Sequence, residues 1–157
     1  MNYYVGIDPG ADGAIAIITD DGVVRDVIDM PKTLGDIRDL FVASASDHYV
    51  AVERQQPMAK AGVKQGVSST FATGLGYGTL LGLLSGLFIP HEVVSAQTWL
   101  RAMGIPAGAD KKAHVVKAQA MFPTVQFTGP RGGLKDGRAD AALIAEWVRQ
   151  RKEGEKS

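Results

Sequence analysis

The hydrophobic residues of the chain follow two periodicities, one typical of strands and the other of helices. Short β-rich runs bounded by turn residues predict five strands, and longer segments with apolar residues three and four apart predict five helices. The predicted strands cover residues 3–8, 14–19, 22–29, 49–53 and 90–94, and the predicted helices cover residues 33–45, 68–87, 96–103, 110–121 and 136–151.

The order of these segments indicates the fold class. Three strands follow one another, with Asp20-Asp21-Gly22 as a hairpin turn between the second and the third. Strands and helices alternate afterwards, which predicts an α/β fold with a mixed five-stranded sheet flanked by helices. A chain of 157 residues suits one domain with a full core, so we predict a single domain over 1–152 and a charged tail over 153–157.

Segment 67–90 contains no charged residue and is long enough to cross a membrane. Its serines, threonines and five glycines dilute the apolar character. We therefore predict a buried helix of a soluble domain and no membrane contact. Four of the glycines recur at every fourth position and share one helical face, where another backbone could approach closely. That backbone would belong to the sheet or to the same helix of a second copy; the glycines are Gly74, Gly78, Gly82 and Gly86.

Four acidic residues are predicted to meet at one edge of the sheet. Asp8 and Glu53 each end a predicted strand, and parallel neighbouring strands would present both side chains at the same carboxyl edge. Asp136 and Asp140 are four residues apart, on a helical face that continues through apolar residues and so faces the protein.

No buried lysine or arginine is obviously matched to these acids, so a hard divalent cation would have to offset their repulsion. Carboxylates favour Mg²⁺, with Mn²⁺ able to substitute, and the absence of cysteine argues against zinc. Two ions can serve the attacking and leaving oxygens of a phosphodiester. All four acids are therefore candidate catalytic metal ligands.

Each acid also has a purely structural interpretation. Asp8 precedes Pro-Gly and could be a turn residue that accepts a hydrogen bond from the backbone. Asp136 could be only a helix N-cap, and Asp140 only a solvated charge near the start of a helix. Glu53 is harder to explain in this way, because it directly follows Val50-Ala51-Val52.

The net charge is zero, but it is unevenly distributed. Residues 1–50 hold nine acids and three bases, whereas residues 51–157 hold eight acids and fourteen bases. A basic surface in the second part would suit a phosphate backbone. The lack of cysteine and of a cleavable apolar leader at the N-terminus leads us to expect a cytoplasmic protein, in a bacterium or a phage-infected cell.

Three blocks of the sequence resemble the RuvC-type Holliday-junction resolvases, especially the compact forms of phages and chloroplasts. The blocks are GIDPGADGAIAI, AVERQQP and KDGRADAALIA, and they extend from residue 6 to residue 145. The resemblance matches the metal-binding acids of the family to Asp8, Glu53, Asp136 and Asp140. The four-residue spacing of the last pair is that of the compact subgroup, whereas the spacing in bacterial RuvC is three.

What the resemblance implies is a homodimer with an RNase H-like fold that makes paired nicks in a four-way DNA junction. It implies two Mg²⁺ ions in each active site, in-line attack by water, 5′-phosphate and 3′-hydroxyl ends, and no nucleotide cofactor. It also matches a lysine of the family to Lys111 or Lys112. The lysine that often follows the last strand has no clear match, because Leu100 and Arg101 occupy that stretch.

Eight polar and basic residues are predicted to contact DNA. The loop after Glu53 should lie beside the site, where it could hold a DNA backbone or be an ordinary solvated loop. Arg138 could neutralise phosphate or pair with a neighbouring acid. The predicted DNA-binding residues are Arg54, Gln56, Lys60, Lys64, Arg101, Lys111, Lys112 and Arg138.

Three other functions compete with junction cleavage. A non-catalytic junction-binding protein would not require all four acids. An RNase H-like nuclease could act on another nucleic acid, since fold alone does not choose the substrate. An actin-like ATP-dependent kinase also begins with a GID-glycine hairpin, but it needs two such domains and a second phosphate loop, and 157 residues hold one domain.

Overall fold

The computed structural model describes residues 1–42, 47–57 and 66–156. The order of its elements closely follows the predicted order. The strands are β1 (Asn2–Asp8), β2 (Ala14–Thr19), β3 (Val24–Asp29), β4 (Asp47–Glu53) and β5 (His91–Val94). The helices are α1 (Leu34–Val42), α2 (Val67–Gly86), α3 (Ala96–Ala102), α4 (Lys111–Met121) and α5 (Asp136–Lys156).

One mixed sheet of five strands forms the centre of the fold, in the order β3-β2-β1-β4-β5. The first three strands form an antiparallel meander, with Gly22 at a positive φ of 77° in the β2–β3 turn. Strands β1, β4 and β5 are parallel, as the strand–helix alternation predicts. The predicted mixed sheet flanked by helices is therefore confirmed.

A separate hydrophobic core covers each face of the sheet. One core packs α3, α4 and α5 against the sheet around Tyr4, Trp99 and Leu143. The other packs α1 and the C-terminal half of α2 around Ile7, Phe41 and Leu84. This arrangement leaves the carboxyl edge of the parallel strands open between the two helical layers.

Most described boundaries lie within two residues of the prediction, and the end of the last helix differs most. Helix α5 continues to Lys156, so residues 153–156 extend the last helix, which was predicted to end at residue 151. Ion pairs one helical turn apart, such as Arg149–Glu153 and Lys152–Glu155, support this extension. Helix α1 is described as far as Val42, and the remaining predicted residues, 43–45, lie outside the described ranges.

The prediction that α2 is a buried helix is wrong. Among its residues only Leu80 and Leu84 are buried, whereas Phe71 and Leu75 are 70% and 59% exposed. The four-glycine face points away from the sheet, because a Cβ at any of these glycines would meet no atom within 4 Å. In the described part of the chain, no helix is long and apolar enough to span a membrane.

Candidate metal and nucleic-acid site

Strands β1 and β4 bring two of the predicted acids together. The strands are parallel neighbours in which Ile7 pairs with Val52, so Asp8 and Glu53 follow at adjacent positions of the same edge. This register confirms the placement expected from the sequence. The negative charge of Asp140 raises the pKa values of both Asp8 and Glu53, and that of Asp8 also raises the pKa of Glu53, which places the three groups within electrostatic reach.

Glycines allow helix α5 to carry the other two acids to this edge. A Cβ on Gly6 would lie 2.1 Å from the carbonyl oxygen of Ala141, and a Cβ on Gly137 would lie 2.2 Å from that of Asp12. Both contacts are with backbone atoms, so only glycine fits at either position. Helix α5 therefore lies directly on β1 and on the turn that follows it.

The two acids of α5 have different surroundings. The Asp140 side chain is 1% exposed and the Asp136 side chain is 43% exposed. Asp140 is therefore not a solvated charge, contrary to one of its two interpretations. Asp136 is the first residue of α5. The Asp8 carboxylate also accepts a hydrogen bond from the Gly10 backbone N–H, as expected for a turn residue, and this bond lowers the pKa of the Asp8 carboxyl group.

Burial and mutual repulsion make two of the carboxylates hard to ionise. Burial raises the pKa of Asp8 to about 6, and the negative charge of Asp140 adds to this effect. Burial also raises the pKa of Glu53 to about 7, with a further contribution from Asp8. A cation bound among these groups would relieve both effects.

One base is matched to the acids, although it is not buried. The Lys111 ammonium donates a hydrogen bond to Oδ2 of Asp140 at 2.6 Å and lies 3.7 Å from Oδ2 of Asp136. Lys111 begins α4, and nothing in the sequence alone indicates that this helix crosses the start of α5. The predicted DNA-binding role of Lys111 therefore competes with an internal ion pair.

Two residues that contact the acids were not recognised from the sequence. The Trp99 indole donates a hydrogen bond from Nε1 to Oε2 of Glu53 at 2.7 Å. Nδ1 of His114 lies 2.6 Å from Oδ1 of Asp140, inside the protein. The one available signal was the three-residue spacing that places His114 on the same helical face as Lys111.

The remaining predicted DNA-binding residues fall into three groups. Arg54, Gln56, Arg101 and Lys112 are exposed and so accessible to a ligand. Arg138 is paired with a neighbouring acid, because its guanidinium donates two hydrogen bonds to Asp29, at 2.7 and 3.1 Å. This geometry favours its structural interpretation over a phosphate contact. Lys60 and Lys64 lie outside the described residues.

The donor set fits a hard divalent cation. It consists of carboxylate oxygens. Two of the carboxylates, Asp8 and Glu53, have raised pKa values, and a third, Asp140, already accepts a hydrogen bond from an ammonium group. Within the described ranges, no three His, Asp or Glu side chains are arranged to share one ion in the conformation seen. The Lys111 ammonium instead lies between Asp136 and Asp140.

An open groove of about 550 Å³ adjoins Asp136. The turn after β1 forms one wall, and the glycine-rich segment that precedes α5 forms the other. Arg131 lines this groove and is exposed, whereas Lys135 is paired with Asp29 at 3.2 Å. The groove gives an extended ligand access to the acidic site from the side of α5.

Solved structures of other proteins share this architecture. RuvC of T. thermophilus in complex with a Holliday junction substrate matches with a TM-score of 0.63 and 14% identity, over 98% of this chain and 95% of that chain. A second Thermus thermophilus RuvC structure matches with a TM-score of 0.62 and 16% identity, over 94% of this chain and 95% of that chain. No protein-family model and no curated protein sequence matches the chain significantly. The chain therefore has the RNase H-like fold of RuvC, as the sequence resemblance implied.

Proposed function

We propose that this protein is a divalent-metal-dependent endonuclease that resolves four-way DNA junctions. The observation that carries the proposal is the convergence of Asp8 and Glu53 with the two acids of α5 at the carboxyl edge of a RuvC-like sheet. The solved structure of similar fold that holds a Holliday junction supports DNA as the substrate class. Arg54 directly follows Glu53 and Lys112 directly follows Lys111, and the exposure of both bases supports it independently.

The four carboxylates would hold the cations. Divalent ions bound there would supply the positive charge that favours ionisation of the attacking water and stabilises the leaving oxygen. Asp8 lies at the centre of the acids, since it interacts electrostatically with Asp136, Asp140 and Glu53. Asp8 would therefore hold the ions together with the other three acids. Cleavage at this site would leave 5′-phosphate ends.

Lys111 has a role in the metal-free protein. Its ammonium offsets the charge of the buried Asp140, which would otherwise be costly to desolvate. Ions bound to the carboxylates would take over that task and free the ammonium for a phosphate oxygen. Lys111 would in this way serve both the empty and the DNA-bound site.

DNA contacts would spread outwards from the acids. Arg54, Gln56, Arg101 and Lys112 are exposed. We propose that they contact phosphates, together with Lys60 and Lys64 of the loop after β4. Such contacts fix the orientation of DNA without reading its sequence.

We also propose a homodimer, because a junction of near two-fold symmetry presents two strands for paired cleavage. The candidate contact is the exposed face of α2. Its small glycines allow close approach of a second helix, and Phe71 and Leu75 supply apolar area that the chain itself does not cover.

The test compares labelled DNA substrates with and without Mg²⁺. Four-way, three-way and linear DNA and an RNA–DNA hybrid are each incubated with the protein. We expect Mg²⁺-dependent, symmetric nicking of the four-way junction and little cleavage of linear duplex. Binding without cleavage at any Mg²⁺ or Mn²⁺ concentration would instead support a junction-binding protein, and preference for the hybrid would support a ribonuclease.

A further inference from the structure

Two aromatic side chains that contact each other inside the protein also contact two of the acids. Trp99 belongs to α3 and is 1% exposed, and His114 belongs to α4 and is 5% exposed. Their rings meet edge to face, with centroids 5.8 Å apart and an interplanar angle of 85°. The two rings therefore support each other inside the protein.

Each ring contacts one carboxylate through a ring nitrogen. Nε1 of Trp99 is 2.7 Å from Oε2 of Glu53, and Nδ1 of His114 is 2.6 Å from Oδ1 of Asp140. These acids come from β4 and α5, which share no turn, and they are 87 residues apart along the chain. The aromatic pair thus connects two acids from separate elements.

We propose that Trp99 and His114 are positioning residues for the metal site, an inference that rests on the proposed function. By holding Oε2 of Glu53 and Oδ1 of Asp140, they fix the rotation of both carboxylates and leave Oε1 and Oδ2 for a cation. Oδ2 of Asp140 already accepts a hydrogen bond from the Lys111 ammonium, which shows that this oxygen is open to a positive charge.

The expected size of the effect follows from comparable metal sites. Loss of a hydrogen-bond partner behind a metal ligand typically weakens metal affinity by about 10–100-fold. An indole packed only for its apolar area would not have this effect, because Trp99→Phe keeps most of that area and removes only the N–H donor. Metal affinity therefore separates a positioning role from a packing role.

The experiment measures Mn²⁺ binding to the full chain without DNA, by calorimetry and by the electron paramagnetic resonance of free Mn²⁺. We expect Trp99→Phe to bind Mn²⁺ about 10–100-fold more weakly than the wild type. Trp147→Phe is the matched control, since Trp147 is a mostly buried tryptophan that lies along α5 beside Arg151. It should bind Mn²⁺ as the wild type does.

His114 provides a second test, which is independent of how well Trp99→Phe folds. His114→Asn keeps a side-chain N–H near the position of Nδ1 and should retain most of the affinity, whereas His114→Ala should lose it. In junction cleavage, Trp99→Phe and His114→Ala should need more Mn²⁺ for half-maximal rate, with KM for DNA unchanged.

The outcomes separate this inference from the proposed function. Wild-type affinity in folded Trp99→Phe and His114→Ala would overturn the positioning role and leave the nuclease proposal intact. A wild-type protein that binds no Mn²⁺, or binds it equally well after Asp8→Asn, would overturn the metal site and the positioning role together.

Discussion

Helices α2 and α5 have nearly the same length, 20 and 21 residues, but opposite surroundings. Helix α2 has no charged residue, yet only Leu80 and Leu84 of its described residues are buried. Helix α5 is rich in charged residues, yet it buries eleven positions, including Asp140 and Glu146. Composition alone would predict that α2 is buried and that α5 is exposed.

The difference shows that close approach to the sheet decides burial here. Helix α5 presents a run of alanines to β1, where Gly6 leaves room for its backbone, and it presents Gly137 to the turn after β1. Helix α2 has as many small residues, but they face away from the sheet. Small residues in α5 therefore serve the fold and the acidic site. Those in α2 remain available to a second molecule.

The largest expected effect tests the contact of α5 with β1. Gly6→Ala places a Cβ 2.1 Å from the Ala141 carbonyl oxygen, so β1 and α5 must separate. We expect a loss of about 3 kcal/mol or more in the free energy of unfolding, the upper range for overpacking. Urea denaturation measures it. Gly82→Ala, in open space on α2, is the matched control, and equal stability of the two variants would contradict the packing account.

A smaller effect is expected from the buried carboxylate of α5. Asp140→Asn removes the charge that binds Lys111 and His114, and should cost about 1–3 kcal/mol of unfolding free energy in metal-free protein. Asp8→Asn should leave stability unchanged or raise it, because its ionised form is disfavoured in the fold. Thermal denaturation in EDTA measures both. A loss for Asp8→Asn as large as that for Asp140→Asn would contradict this difference.

The raised pKa values of Asp8 and Glu53 predict a pH dependence. Between about pH 4 and 7 the folded protein holds protons on these groups that the unfolded chain has lost, so stability falls as pH rises through this window. The expected contribution is several kcal/mol in total, because the pKa rises from 3.8 to about 6 for Asp8 and from 4.5 to about 7 for Glu53, and each pH unit corresponds to about 1.4 kcal/mol.

A comparison of Asp8→Asn with the wild type separates the contribution of Asp8 from that of other titrating groups. The stability of Asp8→Asn relative to the wild type should rise as pH increases from about 4 to about 6, and Mg²⁺ should reduce the difference at neutral pH. Asp12→Asn, in the same turn, serves as the control. A difference that does not change with pH would show that Asp8 ionises freely.

The smallest effect concerns the exposed face of α2. Gly78→Ala should stabilise the monomer by about 0.5–1 kcal/mol, because the added methyl group meets open space and alanine favours helix. Gly78→Leu should weaken self-association in sedimentation experiments if this face forms the dimer contact. A dimer that tolerates Gly78→Leu would place the contact on another surface.

Sequence pattern predicted the sheet well, because strand periodicity and turn residues are local signals. The segments around Asp8 and Glu53 were placed correctly, since parallel strands must end at a common edge. The same reasoning could not place α4 across the start of α5, which is why the ion pair of Lys111 with Asp140 was missed.

Contacts between distant segments explain the other errors. The pairing of Arg138 with Asp29 joins α5 to β3 across 109 residues, so the sequence left two interpretations of that arginine open. The exposure of Phe71 reflects which half of α2 reaches the sheet, and an evenly apolar helix gives no signal of this. Composition predicted a buried helix, and the exposure of most of α2 contradicts that prediction.

The most direct test of the metal-dependent nuclease is cleavage of a four-way junction by Asp8→Asn in Mg²⁺. The substitution is nearly isosteric and removes the charge at the centre of the acids. We predict that cleavage falls by orders of magnitude while the protein stays folded and binds the junction as tightly as the wild type, and that Asp12→Asn cleaves normally. Full cleavage by well-folded Asp8→Asn protein would contradict the account.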